Sequence, residues 1–222
     1  MHPAFSVLIF TVTSGAGYGL LAWLGAGQLL GYTQTYMEGQ QVILGVIAMV
    51  LVSIGLVSST LHLASPKNAW RSFSRFRTSW LSREAVFAII LYPVAALYGA
   101  AIFWQWSSID ILAGLSIILA LITLFTTSMI YASLKTIRQW NTPMVPALFM
   151  AYALISGGLL FLAVSGFFGS LKPQLLAVVM GLIVITLALK LVYFFWQGKP
   201  QGATIQTATG FSQASVRLLD AG

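Results

Sequence analysis

Two side chains in this sequence could transfer protons at a membrane surface. His62 lies in the run LHLASP (61–66) after a long apolar segment, and Glu84 precedes the next apolar segment behind Ser82. The Ser-Pro pair ends the first helix just past His62. Ser82 is expected to cap the second helix, which would put Glu84 in its first turn. An imidazole and a carboxylate at one membrane depth can exchange protons with a quinone, whose reduction to quinol takes up two protons.

Both side chains also have a plain structural explanation. His62 could be an interfacial histidine bonded to a loop carbonyl, and Glu84 could be an acid at a helix N-terminus beside Arg83. The second histidine, His2, lies at the frayed N-terminus, so we expect no bis-histidine haem. The expected cofactor is therefore a quinone.

The segment that joins the two helices is aromatic and basic. At helical spacing it carries Trp70, Phe73, Phe76 and Trp80, with Lys67, Arg71, Arg75 and Arg77 between them. This spacing predicts an interfacial amphipathic helix, either as a membrane anchor or as a docking surface for an acidic partner subunit. The predicted quinone-binding residues are His62, Ser65, Trp70, Arg71 and Glu84.

Membrane helices must position these residues. The chain has 222 residues, 59% hydrophobic and only 7% charged, whereas a soluble domain has roughly 25% charged residues. Six stretches reach the roughly 20 residues needed to cross a bilayer, near 6–30, 40–63, 85–105, 110–131, 144–168 and 174–196. We therefore predict an all-α integral membrane protein, a bundle of six transmembrane helices over residues 1–197 with a cytoplasmic tail over 198–222.

The basic residues predict which way the bundle faces. Of 11 Lys and Arg residues, only Lys172 falls on the side opposite the termini. The others are Lys67, Arg71, Arg75, Arg77, Arg83, Lys135, Arg138, Lys190, Lys199 and Arg217. By the positive-inside rule both termini and both long loops are cytoplasmic. The net charge of +7 is then mainly an orientation signal, and nucleic-acid binding is not expected.

Three further features of the composition restrict the possible functions: the absence of cysteine, two runs of small residues and a cluster of hydroxyl side chains. With no cysteine, the chain cannot ligate an iron–sulfur cluster, so we expect a partner subunit docked on the cytoplasmic face to exchange electrons with the quinone. The runs at 14–19 and 156–158 predict close helix packing. Helix four contains hydroxyl side chains that a transporter could use but that usually bond back to their own helix: Thr123, Thr126, Thr127 and Ser128.

Several motifs also resemble a known family. The run 61–66, the aromatic and arginine-rich loop, and LSRE (81–84) resemble the signature of the membrane-anchor subunits of the dimethyl sulfoxide reductase type. WNTP (140–143) and TATG (207–210) are similar to the same family. The resemblance implies an anchor in the bacterial inner membrane that exchanges electrons with ubiquinone or menaquinone. It also implies a molybdopterin catalytic subunit and a four-cluster ferredoxin-like iron–sulfur subunit as partners on the cytoplasmic face, and no haem.

The resemblance extends to residue roles and to the reaction. It implies that His62 binds quinol and that Glu84 takes part in the quinol reaction. The dimethyl sulfoxide reductase anchors are described with eight spans and this chain has six predicted ones, which is closer to the cytoplasmic sulfite dehydrogenase branch. Sulfite oxidation coupled to quinone reduction is therefore expected. The alternatives are a dimethyl sulfoxide reductase-type complex that oxidises menaquinol and, in another class, a purely structural anchor or small transporter.

Overall fold

Six long α-helices make up the fold. The computed structural model describes residues 3–33, 36–60, 73 and 75–197, so the predicted tail, 198–222, lies outside the described residues. The helices are α1 (Pro3–Leu29), α2 (Glu38–Thr60), α3 (Trp80–Phe103), α4 (Ile109–Ala132), α5 (Met144–Phe167) and α6 (Pro173–Gln197). All six are long and apolar enough to cross a membrane, which confirms the predicted spans. No strand occurs in the described ranges.

The bundle is organised around α1. This helix packs against α2, α4 and α5, while α3 packs mainly against α4, and α6 lies at the edge against α5. The core that results includes the fully buried Tyr18, Leu44 and Leu124. Large apolar side chains on the outer helix faces are exposed, for example Phe195 on α6. Lipid tails solvate this apolar outer surface well, because they are as apolar as these side chains.

Two close helix crossings hold α1 in place. At the α1–α2 crossing, a Cβ atom added to Gly17 would lie 2.5 Å from the Ala48 carbonyl oxygen. At the α1–α5 crossing, a Cβ atom on Gly19 or Gly157 would overlap the facing backbone. Only glycine permits backbones to approach so closely. The prediction that the small-residue runs of α1 and α5 serve close packing is confirmed.

The alternating helices define two faces of the bundle. The face where α1 begins and α6 ends is called the termini face here, and it also carries the start of α3 and the end of α4. The other is called the opposite face. On it, Gln28 Nε2 donates to Asp110 Oδ1 at 3.0 Å and Gln105 Nε2 donates to Glu38 Oε1 at 3.2 Å. The first bond joins the end of α1 to the start of α4, and the second joins the α3–α4 connection to the start of α2.

Candidate functional site

The start of α3 sets the depth of Glu84. The helix begins at Trp80 rather than near residue 85, and its N-cap is Ser79, whose hydroxyl accepts a hydrogen bond from the Ser82 N–H at 3.4 Å. The prediction that Ser82 caps the helix is wrong, because Ser82 is already buried in the first turn. Glu84 therefore lies past the unpaired N–H groups of that turn. Helix capping does not account for its presence.

The turns before α3 are held by Arg83. Its Nε donates to the Phe76 carbonyl at 3.1 Å, its Nη2 donates to the Arg77 carbonyl at 2.8 Å, and its guanidinium lies 4.2 Å from the centre of the Trp80 ring. Trp80 thus belongs to α3 and not to the amphipathic helix predicted for the preceding loop. Of the rest of that predicted helix, residues 67–72 and 74 lie outside the described residues, while residues 73 and 75–79 form short 3₁₀ and turn structure, so the described part of the prediction is wrong.

Glu84 is a buried carboxyl group inside the bundle. Its side chain is 3% exposed, and its Oε1 accepts a hydrogen bond from Thr127 Oγ1 of α4 at 3.1 Å. Thr127 is five residues from the end of α4 at Ala132, so the pair lies about 8 Å inside the helix ends of the termini face. An ionisable group within a membrane helix is costly and marks a functional position by default.

The hydroxyl groups of α4 behave as predicted, with one addition. Thr123, Thr126, Thr127 and Ser128 each donate to a carbonyl three or four residues earlier in the same helix. This confirms the predicted back-bonding. The single hydroxyl hydrogen of Thr127 is shared between the Thr123 carbonyl and Glu84 Oε1 on α3. The contact with Glu84 depends on how the two helices are aligned, and the sequence did not indicate it.

Further polar groups extend from Glu84 into the membrane interior. Tyr18 of α1 is fully buried, and its hydroxyl has no hydrogen-bond partner among the described residues. Tyr18 lies close enough to Glu84 and to Tyr92 of α3 for electrostatic interaction. The Tyr92 hydroxyl in turn forms a 2.8 Å hydrogen bond with Ser53 Oγ of α2. We call Thr127, Glu84, Tyr18, Tyr92 and Ser53 the polar line.

The polar line ends at a groove between α2 and α3. This groove has a volume of about 550 Å³ and an apolar lining that includes Met49, Val50 and Ala96, with Ser53 and Tyr92 on its wall. It extends along α2 from Gln41 to Ile54, about 20 Å along the helix axis. We call it the α2–α3 groove. A long apolar molecule could enter it from the lipid and approach the polar line.

Only part of the predicted site can be described. His62, Ser65, Trp70 and Arg71 lie outside the described residues, so their positions relative to Glu84 stay predictions. The described part of α2 ends at Thr60, just before His62, on the termini face where α3 starts. The sequence reasoning missed Thr127 as a partner of Glu84, and it missed Tyr18, Tyr92 and Ser53. A signal for Tyr18 was present in the sequence, because it is the one large side chain in the small-residue run at 14–19.

The described arrangement can hold and move a proton near a membrane-embedded molecule. A carboxyl group accepts or releases a proton, and a buried hydroxyl without a partner can bond to a carbonyl oxygen or to water. Together with an apolar groove open to lipid, this suits an apolar ligand that has a polar head.

The fold and site define a class: a multi-pass helical membrane protein with a buried carboxyl group near one face. The chain matches the family model for the DMSO reductase anchor subunit (DmsC) over residues 1–216, and it belongs to that family. It is also similar to a sulfite dehydrogenase subunit of Allochromatium vinosum, with 32% identity over 241 aligned residues that cover 97% of this chain and 72% of that protein. No solved structure matches the chain.

Proposed function

We propose that this chain is the quinone-reactive membrane anchor of an oxidoreductase complex, in which electrons pass between a partner's iron–sulfur cluster and the quinone pool. The observation that carries the proposal is Glu84, a buried carboxyl group bonded to Thr127 at the end of the polar line nearer the termini face, with a lipid-facing groove at the other end of that line. Membership of the anchor-subunit family supports it.

The reaction assigned to the chain is a proton-coupled one. Reduction of a quinone to a quinol takes up two electrons and two protons, and the reverse reaction releases them. In the proposal His62 and Glu84 exchange the protons, while Ser65, Trp70 and Arg71 line the mouth of the site. The quinone ring lies near Glu84, and its apolar tail lies in the α2–α3 groove.

The partners follow from the family and from the chemistry that this chain lacks. A molybdopterin catalytic subunit and a four-cluster ferredoxin-like iron–sulfur subunit would supply the redox centres, because a chain without cysteine cannot ligate a cluster. We place them on the termini face, and we place that face in the cytoplasm. The described basic residues support this orientation: Arg75, Arg77, Lys135 and Arg138 lie on the termini face, whereas Lys172 is the one described Lys or Arg on the opposite face.

The reaction of the partner is proposed from the similar protein. Its name, sulfite dehydrogenase, favours sulfite oxidation, with the two electrons delivered to quinone. The family description favours a second candidate, a dimethyl sulfoxide reductase-type complex that takes electrons from menaquinol. The two candidates use the same quinone site and differ in the direction of electron flow. A turnover assay on the intact complex with sulfite or with dimethyl sulfoxide distinguishes them.

The quinone role is tested by substitutions in the assembled complex. Glu84→Gln keeps the shape of the side chain and should slow quinone-coupled turnover at least tenfold, while the partner subunits stay bound to the membrane. His62→Ala should have the same effect. The control is Glu38→Gln, which makes the same change on the opposite face and should leave turnover unchanged.

Two results would contradict the proposal in different ways. Normal turnover in a fully assembled Glu84→Gln complex would remove this carboxyl group from the mechanism and favour a purely structural anchor. If the chain purifies without a molybdopterin protein and an iron–sulfur protein, the proposed complex is refuted. A transporter or another role would then be the remaining explanation.

A further inference from the structure

A second groove on the membrane side has no part in the proposed quinone chemistry. It lies at the termini face between α1, the end of α4, the start of α5 and the end of α6, and its volume is about 660 Å³. Its wall is aromatic and carries one cation. These residues are Tyr131, Trp140, Tyr152, Tyr193 and Lys190. Aromatic side chains with a polar end, mixed with a cation, are typical of the zone where lipid headgroups meet hydrocarbon.

Lys190 is the unusual member of this wall. It lies seven residues before the end of α6 at Gln197, about 10 Å along the helix axis, and it is half-buried. Its Nζ stands 4.9 Å from the ring centres of both Tyr193 and Phe194. The ammonium group is therefore fixed at the groove by two rings rather than extended freely into water.

The described carboxylates do not serve as the counter-charge of Lys190. Glu38 and Asp110 belong to the opposite face, where they bond to Gln105 and Gln28, and Glu84 bonds to Thr127 inside the bundle. A cation held at the membrane boundary next to an open groove favours an anionic ligand from the bilayer.

The groove continues as a narrower apolar channel between α1 and α5. This second part has a volume of about 440 Å³ and shares Thr11, Phe149 and Tyr152 with the first. Along α5 the two parts together extend from Val145 to Leu159, about 21 Å, which exceeds half of a hydrocarbon core roughly 30 Å thick. The length therefore fits one acyl chain of a lipid in the leaflet at the termini face.

We propose that this groove binds one anionic phospholipid, with the phosphate at Lys190 and an acyl chain along α1 and α5. The basic and aromatic end recognises the headgroup, and the apolar end recognises the chain. A neutral quinone would leave Lys190 without an anion, which is why a phospholipid fits better. The inference is independent of the quinone proposal, because it involves none of the polar line.

Native mass spectrometry of the intact complex tests this lipid site. The complex is purified in a neutral detergent and exposed to equal amounts of phosphatidylglycerol and phosphatidylethanolamine. We expect the wild type to retain one phosphatidylglycerol. Lys190→Gln should lower that occupancy about fivefold, since one cation near a lipid surface contributes about 1 kcal/mol. Lys190→Arg should restore it, and Lys135→Gln, an exposed lysine on the same face, should leave it within twofold of the wild type.

A second variant addresses the acyl-chain part. Val12 lines the narrow channel and is exposed, so Val12→Trp should fill the channel and reduce retention of phosphatidylglycerol while the complex keeps its thermal stability. Equal losses in Lys190→Gln and Lys135→Gln would overturn the proposal, because they would indicate diffuse attraction. Equal retention of the two phospholipids would also overturn it, as would displacement of the lipid by stoichiometric quinone.

Discussion

The bond between Thr127 and Glu84 makes the described part of the site open to a direct test. Thr127→Val keeps the side-chain shape but removes the hydroxyl that lies 3.1 Å from Glu84 Oε1. Thr126 is the matched control, because it is the neighbouring residue, is equally buried, and bonds to the Thr123 carbonyl of its own helix at 2.9 Å. Both valine variants lose a hydrogen bond within α4, but only Thr127→Val also loses the bond to α3. The difference between their unfolding free energies therefore measures the bond between the helices.

The expected size of the effect follows from burial. A side-chain hydrogen bond between membrane helices contributes about 0.6 kcal/mol on average and at most about 1.7 kcal/mol. An acceptor left without a partner in the interior costs about 1–3 kcal/mol. We therefore expect Thr127→Val to lower the free energy of unfolding by about 1–2 kcal/mol, a factor of about 5–30 in the unfolding equilibrium. Thr126→Val should change it by less than about 0.5 kcal/mol, because back-bonds contribute little to helix stability.

The measurement is reversible unfolding of the full chain in mixed detergent micelles, repeated in a double-mutant cycle with Glu84→Leu, which removes both carboxyl oxygens and so leaves Thr127 no acceptor on α3. The cycle should show a coupling of about 1 kcal/mol between Thr127 and Glu84, and none between Thr126 and Glu84. Equal destabilisation by the two valine variants would refute the reasoning. A coupling energy of zero for Thr127 would do so as well, because the bond would then carry no energy.

Three further predictions concern packing, the polar line and orientation. Gly157→Ala should destabilise the bundle by about 1–3 kcal/mol, because the added Cβ would overlap α1. Gly181→Ala should be neutral, because nothing lies near an added Cβ there, and thermal melts of the two variants give the comparison. Tyr18→Phe removes a buried hydroxyl without a described partner, so stability should be unchanged or higher while quinone turnover falls; unchanged turnover would exclude Tyr18 from the reaction. The chain has no cysteine, so single cysteines can report its topology. Lys135→Cys should react with an impermeant maleimide only in inverted vesicles, and Lys172→Cys only in intact cells. The reverse pattern would contradict the proposed topology.

The features that depend on local composition were predictable from the sequence. The six helices follow from apolar length, and the close crossings at Gly19 and Gly157 follow from small-residue runs, since such residues in membrane helices mostly serve packing. The position of Glu84 near one helix end was also predicted. The reason given for it was wrong, because Ser79 rather than Ser82 caps α3 and the helix starts one turn earlier.

The features that depend on helix alignment were not predictable. The bond from Thr127 to Glu84 requires the rotation of α4 about α3, and hydropathy does not fix that rotation. The contact of Ser53 with Tyr92 and the groove beside it likewise depend on how far α2 stands from α3. The contacts of the Lys190 ammonium with the rings of Tyr193 and Phe194 likewise depend on side-chain conformations that the sequence does not fix.

The most direct measurement of the central claim is the position of a bound quinone in the assembled complex. A ubiquinone analogue with a photoreactive ring is illuminated in membranes, and the labelled peptides are identified by mass spectrometry with an excess of unmodified quinone as competitor. We expect competable label in two regions, residues 49–72 and residues 84–96. Competable label confined to the groove of Tyr152 and Tyr193, or label that the unmodified quinone does not reduce, would contradict a quinone site beside Glu84.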